Sequence, residues 1–270
     1  MRIAFLGGGN MATALIGGLV AKGTDARSIA VIEVSPAARE RLGARYPVHI
    51  ATAPDAAMQS SEVLVLAVKP QDARAALASI SGNVHGKLLI SIAAGLTLDS
   101  LARWLGGHRK LVRCMPNTPA LIGAGIAALY ALAEVNSDER RKAEEILGAV
   151  GEVVWVAEER LLDPVTAVSA SGPAYVFWFI EQLGFSGERL GLPPDISRKL
   201  ALHTVLGAAK LAASSGESPE SLRKSVTSKG GTTEAALKVF DEEKLAERFR
   251  RAVEAASRRA TELGEELGGD

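Results

Sequence analysis

A glycine-rich segment near the N-terminus has the residue types and the spacing of a phosphate-binding turn. Gly7, Gly9 and Ala12 match the G-x-G-x-x-[G/A] pattern between a predicted strand and a predicted helix. In such a turn, the backbone N–H groups and the positive end of the helix dipole bind the pyrophosphate of a dinucleotide. An ordinary glycine-rich loop is the alternative. The predicted cofactor turn consists of Gly7, Gly8, Gly9, Asn10, Met11 and Ala12.

Two further segments end predicted strands, which is where parallel α/β sheets bind their ligands. Glu33 has the position from which a carboxylate accepts hydrogen bonds from the adenosine ribose, and this favours NAD(H). A 2′-phosphate would instead need a base, and the nearest is Arg39. Lys69 stands between Val68 and Pro70 at the end of another predicted strand, and we assign all three residues to the cofactor site. Solvated side chains are the alternative for the glutamate and the lysine.

Three loops carry hydroxyl or amide groups at the ends of predicted elements. Asn117 and Thr118 stand between two prolines, whose restricted dihedral angles would aim both side chains. Ser171 and Pro173 begin a predicted helix, where hydroxyls and free N–H groups meet. The segment VTSKGGTT at 226–233 also precedes a predicted helix and is suited to hold a carboxylate. Rigid turns and capped helix ends would explain the same residues without a ligand.

Metal and thiol chemistry find no support in the sequence. The chain has one cysteine, Cys114, inside an apolar strand end with no base beside it. Its four histidines are far apart and lack ligand spacing. We therefore predict no metal site and a buried, unreactive thiol.

The charge balance points to a small-molecule partner. The 31 basic residues match 31 acidic ones, so no electrostatic footprint for nucleic acid or a membrane surface is present. The sequence also shows neither a signal segment nor a long apolar run, and we predict a soluble cytoplasmic protein.

Apolar periodicity divides the chain into two halves. The first alternates short apolar runs with helical segments, which predicts a doubly wound α/β domain with a mainly parallel sheet. The predicted strands are Ile3–Leu6, Ile29–Glu33, Val63–Val68, Lys87–Ile92, Leu111–Met115 and Val153–Val156. The predicted helices between them are 10–22, 36–45, 70–80, 97–105 and 137–149.

The second half is predicted to be all-helical. From about residue 160 the strand signals stop, and helical spacing runs through 173–190, 194–214 and 242–267. The first of these helices is apolar nearly all round, which predicts that it is buried in a core or against a second subunit.

Six segments in order make the sequence resemble the pyrroline-5-carboxylate reductase family along essentially its whole length. They are GGGNMA, AVKP, SIAAG, RCMPNTP, SASGPAYVF and VTSKGGTT. The resemblance implies a Rossmann-type dinucleotide-binding domain at 1–160 and an all-α domain at 161–270 that binds substrate and forms a homodimer. It also implies an active site shared across that dimer. Some members of the family assemble dimers further, into decamers.

The implied reaction is hydride transfer from NAD(P)H to 1-pyrroline-5-carboxylate, which gives L-proline. By resemblance, Thr233 is the predicted catalytic residue, with its hydroxyl near the imine nitrogen, and the backbone before it meets the substrate carboxylate. The substrate-binding residues that the resemblance implies are Ser228, Lys229, Gly230, Gly231, Thr232, Asn117, Thr118, Ser171 and Pro173.

The cofactor preference and the reaction class both have alternatives. Family members that prefer NADPH often carry basic or polar residues where this chain has Glu33, Val34 and Ser35, so the family favours NADPH and the local charge favours NADH. A β-hydroxyacid-type dehydrogenase has a similar architecture but uses a lysine within a motif that this chain lacks. A non-catalytic dinucleotide-binding module is the third possibility.

Overall fold

The computed structural model describes residues 1–269 and contains one eight-stranded sheet. The strands are β1 (Ile3–Leu6), β2 (Ile29–Ile32), β3 (His49–Ala51), β4 (Val63–Leu66), β5 (Leu88–Ser91), β6 (Leu111–Met115), β7 (Gly125–Ala131) and β8 (Gly151–Trp155). Their order in the sheet is β3-β2-β1-β4-β5-β6-β7-β8.

The sheet is parallel from β3 to β6 and reverses once. Ile3 in β1 pairs with Ile29 on one side and with Val63 on the other, both in parallel register. β7 runs antiparallel to β6, and β8 then runs parallel to β7. The chain therefore builds outward from β1 in both directions, and this places a topological switch point between β1 and β4.

Twelve α-helices connect and follow the strands within the described residues. The helices are α1 (Asn10–Ala21), α2 (Pro36–Gly43), α3 (Ala56–Gln59), α4 (Ala73–Ala78), α5 (Leu98–Trp104), α6 (Ser137–Leu147), α7 (Leu162–Val165), α8 (Gly172–Arg189), α9 (Pro194–Ser215), α10 (Pro219–Ser225), α11 (Thr232–Glu242) and α12 (Leu245–Gly268). Local chemistry sets several of their starts. Ser35 caps α2 ahead of Pro36, and Asn136 and Glu139 form a capping box at α6.

Apolar layers cover both faces of the sheet. In β1, Ile3 and Phe5 belong to one buried cluster, whereas Ala4 and Leu6 belong to the other. A strand that is covered on both faces needs an uninterrupted apolar run, since alternate side chains point to opposite faces. This explains why the central strands were visible in the sequence.

The chain divides into two compact units. Unit 1 contains Met1–Ser171 and the residues from Ala255 onward, and unit 2 contains Gly172–Glu254. The chain leaves unit 1 at Ser171 and returns to it along α12. The C-terminal end of the chain therefore completes the unit that its N-terminal end begins.

Unit 2 is all-helical and exposes many large apolar side chains. α8 and α9 pack against each other, and the hydroxyl of Ser197 donates to the carbonyl oxygen of Gly184 at 2.6 Å. On α8, Phe177 is 60% exposed and Trp178 is 56% exposed. An apolar surface of this extent is typical of an interface with another protein.

The structure confirms the predicted fold class and corrects several elements. All six predicted strands are present, but β3 and β7 were missed, and so were the short helices α3, α7 and α10. The predicted helix at 70–80 is a short 3-10 helix, Pro70–Asp72, followed by α4. Within residues 1–269, no helix has both the length and the apolar character needed to cross a bilayer.

Candidate functional site

The glycine-rich turn joins β1 to α1, and its first glycine is sterically required. Gly7 has φ +99°, and its N–H donates to the carbonyl oxygen of Ile32 at 2.8 Å. A Cβ on Gly7 would lie 2.7 Å from the carbonyl oxygen of Ala67 and 3.0 Å from Cγ1 of Val68. The turn therefore packs directly on the end of β4, and only glycine allows this approach.

The next part of the turn leaves open space at the start of α1. Gly9 is the N-cap of this helix, with φ −68° and no side-chain cap. A Cβ on Gly9 would have no neighbour within 4 Å, whereas Ala12 is buried. The first N–H groups of a helix have no intrahelical acceptor, and Asn10 and Met11 supply them here. This arrangement fits the pyrophosphate of a dinucleotide.

Glu33 connects the glycine-rich turn with the loop that follows β2. Its Oε2 accepts a hydrogen bond from the N–H of Gly8 at 2.7 Å, and its Oε1 accepts one from the N–H of Ser35 at 2.7 Å. A carboxylate has about four lone-pair positions, so Glu33 keeps acceptor capacity for ribose hydroxyls. The side chain thus shapes the loop, and its contact with the cofactor ribose stays a prediction.

Arg39, the base considered for a 2′-phosphate, is engaged by the same loop. Its Nη1 donates to the carbonyl oxygens of Glu33 at 3.1 Å and Val34 at 2.7 Å. The hydroxyl of Ser35 caps α2 by accepting from the N–H of Ala38. Arg39 and Ser35 therefore both have local partners.

The predicted cofactor residues after β4 lie at the same edge of the sheet. Val68 is half-buried and contacts the glycine-rich turn, while Lys69 is exposed and precedes the short helix that begins at Pro70. The carboxyl ends of neighbouring parallel strands share one edge of a sheet, so Glu33, the turn and this segment form one continuous edge.

Asn117 lies at the carboxyl end of β6, and both ends of its amide are occupied. Its Nδ2 donates to the carbonyl oxygen of Ser169 at 3.2 Å, and its Oδ1 accepts from the N–H of Ile126 at 2.9 Å. The side chain is buried and ties β7 to the segment before Ser171, whereas the adjacent Thr118 is exposed. Contact between Asn117 and a substrate stays a prediction.

Ser171 follows an unusual stretch of helix at the boundary of the two units. Residues Thr166–Ala170 form a π-helix, and the N–H of Ser171 donates to the carbonyl oxygen of Thr166 at 2.9 Å. Single π-helical turns occur frequently at functional sites. Pro173 then stands in the first turn of α8.

The segment 228–233 forms a tight turn in unit 2 that leads into α11. Gly230 has φ +74°, and the N–H of Gly231 donates to the carbonyl oxygen of Ser228 at 3.0 Å. Gly231 is the N-cap, so Thr232 and Thr233 supply first-turn N–H groups without intrahelical acceptors. Lys229 is exposed beside this turn.

One contact in this turn was not expected from the sequence. Oε2 of Glu234 accepts the N–H of Gly230 at 2.6 Å. The backbone amide of Gly230, which was predicted to meet the substrate carboxylate, is therefore already bonded to Glu234. The amides that open α11 remain the better-placed partners for a ligand.

Cys114 is not available for chemistry. It is buried in β6, and burial raises the pKa of its thiol. In the stretch that the structure describes, no three His, Cys, Asp or Glu side chains gather as ligands for a metal ion.

A doubly wound sheet, a glycine-rich turn at its switch point and an acidic residue after β2 are typical of the dinucleotide-binding domain of an oxidoreductase. Residues 2–95 match the family model for NADP oxidoreductases that are coenzyme F420-dependent. Residues 159–263 match the model for pyrroline-5-carboxylate reductase dimerisation. The chain belongs to the pyrroline-5-carboxylate reductase family.

Relatives that carry this name align over nearly the entire chain. The pyrroline-5-carboxylate reductase of Pseudomonas aeruginosa is 42% identical over 99% of this chain and 98% of its own. That of Synechocystis is 43% identical over 98% of each chain.

Solved structures agree with this assignment. A pyrroline-5-carboxylate reductase from Coxiella burnetii is 39% identical with a TM-score of 0.92, over 97% of this chain and 98% of that one. The Plasmodium falciparum pyrroline carboxylate reductase, solved with NADP bound, is 29% identical with a TM-score of 0.86 over 98% of each chain. The cofactor of this chain is thus NAD(P)H, and its dimerisation domain implies a homodimer.

Two glycine substitutions distinguish folding from cofactor binding. We expect Gly9→Ala to leave the melting temperature unchanged, because its new methyl group meets open space, yet to weaken dinucleotide binding at least tenfold, about 1.4 kcal/mol. Gly7→Ala should lower both the melting temperature and the affinity for the dinucleotide, since the φ of Gly7 and its contact with Ala67 exclude a side chain. Thermal melts and fluorescence titration with NADH and NADPH measure the two effects. Full dinucleotide affinity in Gly9→Ala would contradict the assignment of the pyrophosphate position.

Proposed function

We propose that this chain reduces 1-pyrroline-5-carboxylate to L-proline with NADH or NADPH, the final step of proline biosynthesis. The observation that carries the proposal is the 42% identity over 99% of the chain to a reductase of that name. The open amide-lined space at Gly9 supports it independently, because hydride transfer requires a bound dinucleotide.

The reaction needs orientation more than reactive side chains. A reduced dinucleotide held by the glycine-rich turn would supply a hydride with its electron pair, which would form the new C–H bond at the imine carbon. The π electrons of the C=N bond move onto the nitrogen, which carries a proton. A protonated imine accepts a hydride readily, so the protein must mainly bind and align the two ligands. The buried Cys114 thiol has no part in such a reaction.

We propose that the turn at 228–233 binds the substrate. The free first-turn amides of Thr232 and Thr233, with the positive end of the α11 dipole, suit a carboxylate. Lys229 adds a positive charge near them. The hydroxyl of Thr233 can donate to or accept from the imine nitrogen as its protonation changes, and this makes Thr233 the proposed catalytic residue. Asn117, Thr118, Ser171 and Pro173 are proposed as further pocket residues.

The role of Thr233 has a direct kinetic test. Thr233→Ala should lower kcat/KM for the imino acid about 10²-fold, because a group that hydrogen-bonds the reacting nitrogen is lost. Dinucleotide affinity should change less than about twofold, since Thr233 is proposed to meet only the substrate. The matched variant Thr233→Ser keeps the hydroxyl and should retain most of the activity. Equal turnover in Thr233→Ala and the unchanged protein would remove the hydroxyl from the mechanism.

We propose that NADH is preferred over NADPH. In this proposal the ribose of the cofactor lies beside the carboxylate of Glu33, which would repel a 2′-phosphate. Arg39, which could attract such a phosphate, donates to backbone carbonyl oxygens instead. The relative solved with NADP supports the opposite preference, so the two cofactors must be compared directly.

Steady-state reduction of 1-pyrroline-5-carboxylate with each cofactor tests both the reaction and this preference. We expect a higher kcat/KM with NADH. Glu33→Gln removes the charge and keeps an acceptor, so the NADH:NADPH ratio of kcat/KM should fall about tenfold. Turnover with neither cofactor would contradict the reaction, whereas a ratio that does not change in Glu33→Gln would contradict only the role of Glu33.

Assembly and location follow from the same proposal. We propose that the exposed apolar faces of α8 and α9 form the dimer contact, and that dimers assemble further into a decamer, as in some members of the family. We also propose a cytoplasmic location, which suits an enzyme of amino-acid biosynthesis with a single free cysteine.

A further inference from the structure

An ion-pair cluster surrounds the buried Arg113 of β6 in unit 1. Arg113 in β6 is 6% exposed, and its Nη1 donates to Oε1 of Glu159 at 3.1 Å. Its Nη2 donates to Oδ1 of Asp163 at 3.2 Å. A charge this deeply buried must be paired, and here one guanidinium holds two carboxylates in fixed positions.

Each carboxylate continues the connection to another part of unit 1. Oε1 of Glu159 also accepts the N–H of Leu98, the first residue of α5, at 2.7 Å. Oδ2 of Asp163 accepts the hydroxyl of Thr261 in α12 at 3.0 Å. Arg113 therefore joins the start of α5 to the returning end of α12.

The end of α12 also packs against the loop between β5 and α5. A Cβ on Gly264 would lie 3.0 Å from the carbonyl oxygen of Gly95, so the two backbones are in close contact. The carbonyl oxygen of Gly268 accepts bonds from Oγ of Ser100 at 3.2 Å and from Nη2 of Arg103 at 2.9 Å. The loop of residues 92–97 is thus held at its far end by Glu159 and along its side by α12.

This loop follows β5, and β5 neighbours β4 on the side away from β2. A dinucleotide whose adenosine meets Glu33 and whose pyrophosphate meets Gly9 must extend its nicotinamide in the opposite direction, past the end of β4. The loop of residues 92–97 is the next segment along that edge. Its backbone would therefore border the nicotinamide ring.

We propose that Arg113 is a positioning residue for hydride transfer, because its ion pairs fix the loop of residues 92–97 beside the nicotinamide. The inference rests on the proposed reductase function. Arg113 itself contacts neither ligand in this account. Hydride transfer depends steeply on the distance and angle between donor and acceptor, whereas dinucleotide affinity depends mainly on the adenosine and pyrophosphate contacts. Loosening the cluster should therefore slow the chemical step and leave affinity nearly unchanged.

The test uses two variants at opposite ends of the cluster. Glu159→Gln removes the charge at Leu98 and keeps the size of the side chain, and Thr261→Val removes the hydroxyl that binds Asp163. Thr261→Ser keeps that hydroxyl and serves as the matched control. Arg259→Gln is the control on the surface of α12, since Arg259 pairs only with carboxylates of its own helix in the described residues.

Single-turnover oxidation of the reduced cofactor by 1-pyrroline-5-carboxylate, at saturating substrate, measures the chemical step. We expect the rate constant to fall about tenfold in Glu159→Gln and severalfold in Thr261→Val, with full amplitude and with cofactor Kd within about twofold of the unchanged protein. Both controls should match the unchanged protein. A merely destabilised protein would lose amplitude without any change in its rate constant.

Two results would overturn the positioning role. One is that both variants keep the rate constant of the unchanged protein, whatever their amplitudes. The other is that cofactor affinity falls by as large a factor as the rate constant. If Glu159→Gln does not fold, Thr261→Val alone tests the proposal. Thr261 is exposed, and its substitution leaves both carboxylates paired with Arg113. Failure of the unchanged protein to turn over would instead contradict the proposed function and is seen before any variant is compared.

Discussion

The close approach of Gly7 to the carbonyl of Ala67 is the contact on which the cofactor edge depends. It brings the glycine-rich turn down onto β4, so that α1 begins directly above the switch point of the sheet. Glu33 then spans from the turn to the next loop by accepting the N–H groups of Gly8 and Ser35. A side chain at Gly7 would displace the turn, and the positions proposed for the pyrophosphate, for Glu33 and for the nicotinamide would shift with it.

Unit 2 carries large apolar side chains on the exposed surface of its helices, where polar residues are expected. The side chains of Phe177 and Trp178 stand on the surface of α8, although a helix with so little polar surface is normally buried. The match of this region to a dimerisation domain resolves the contradiction. We therefore expect the stability of this unit to rise with protein concentration, since a homodimer is favoured by mass action.

The sequence predicted the features that local physics controls and missed those that arise from distant contacts. Central strands such as β1 were visible because burial on both faces requires apolar runs, and the cofactor turn was visible because glycine spacing is local. β7, with the sequence GIAALYA, was not predicted because glycine and alanine have low strand preference. Its pairing with β6 is set by tertiary structure. The bonds of Asn117 with Ser169 and of Arg113 with Asp163 join residues 52 and 50 positions apart, and no local sequence pattern predicts them.

In the proposed reaction, a reduced dinucleotide at the edge of unit 1 transfers its hydride to the imine carbon of 1-pyrroline-5-carboxylate. The most direct measurement uses cofactor labelled with deuterium at C4 of the nicotinamide, on each face in turn, followed by mass spectrometry and NMR of the product. We expect L-proline with one deuterium at C5 from one of the two labelled cofactors and none from the other. Folded, dinucleotide-bound protein that forms no proline, or proline without deuterium from either cofactor, would contradict it.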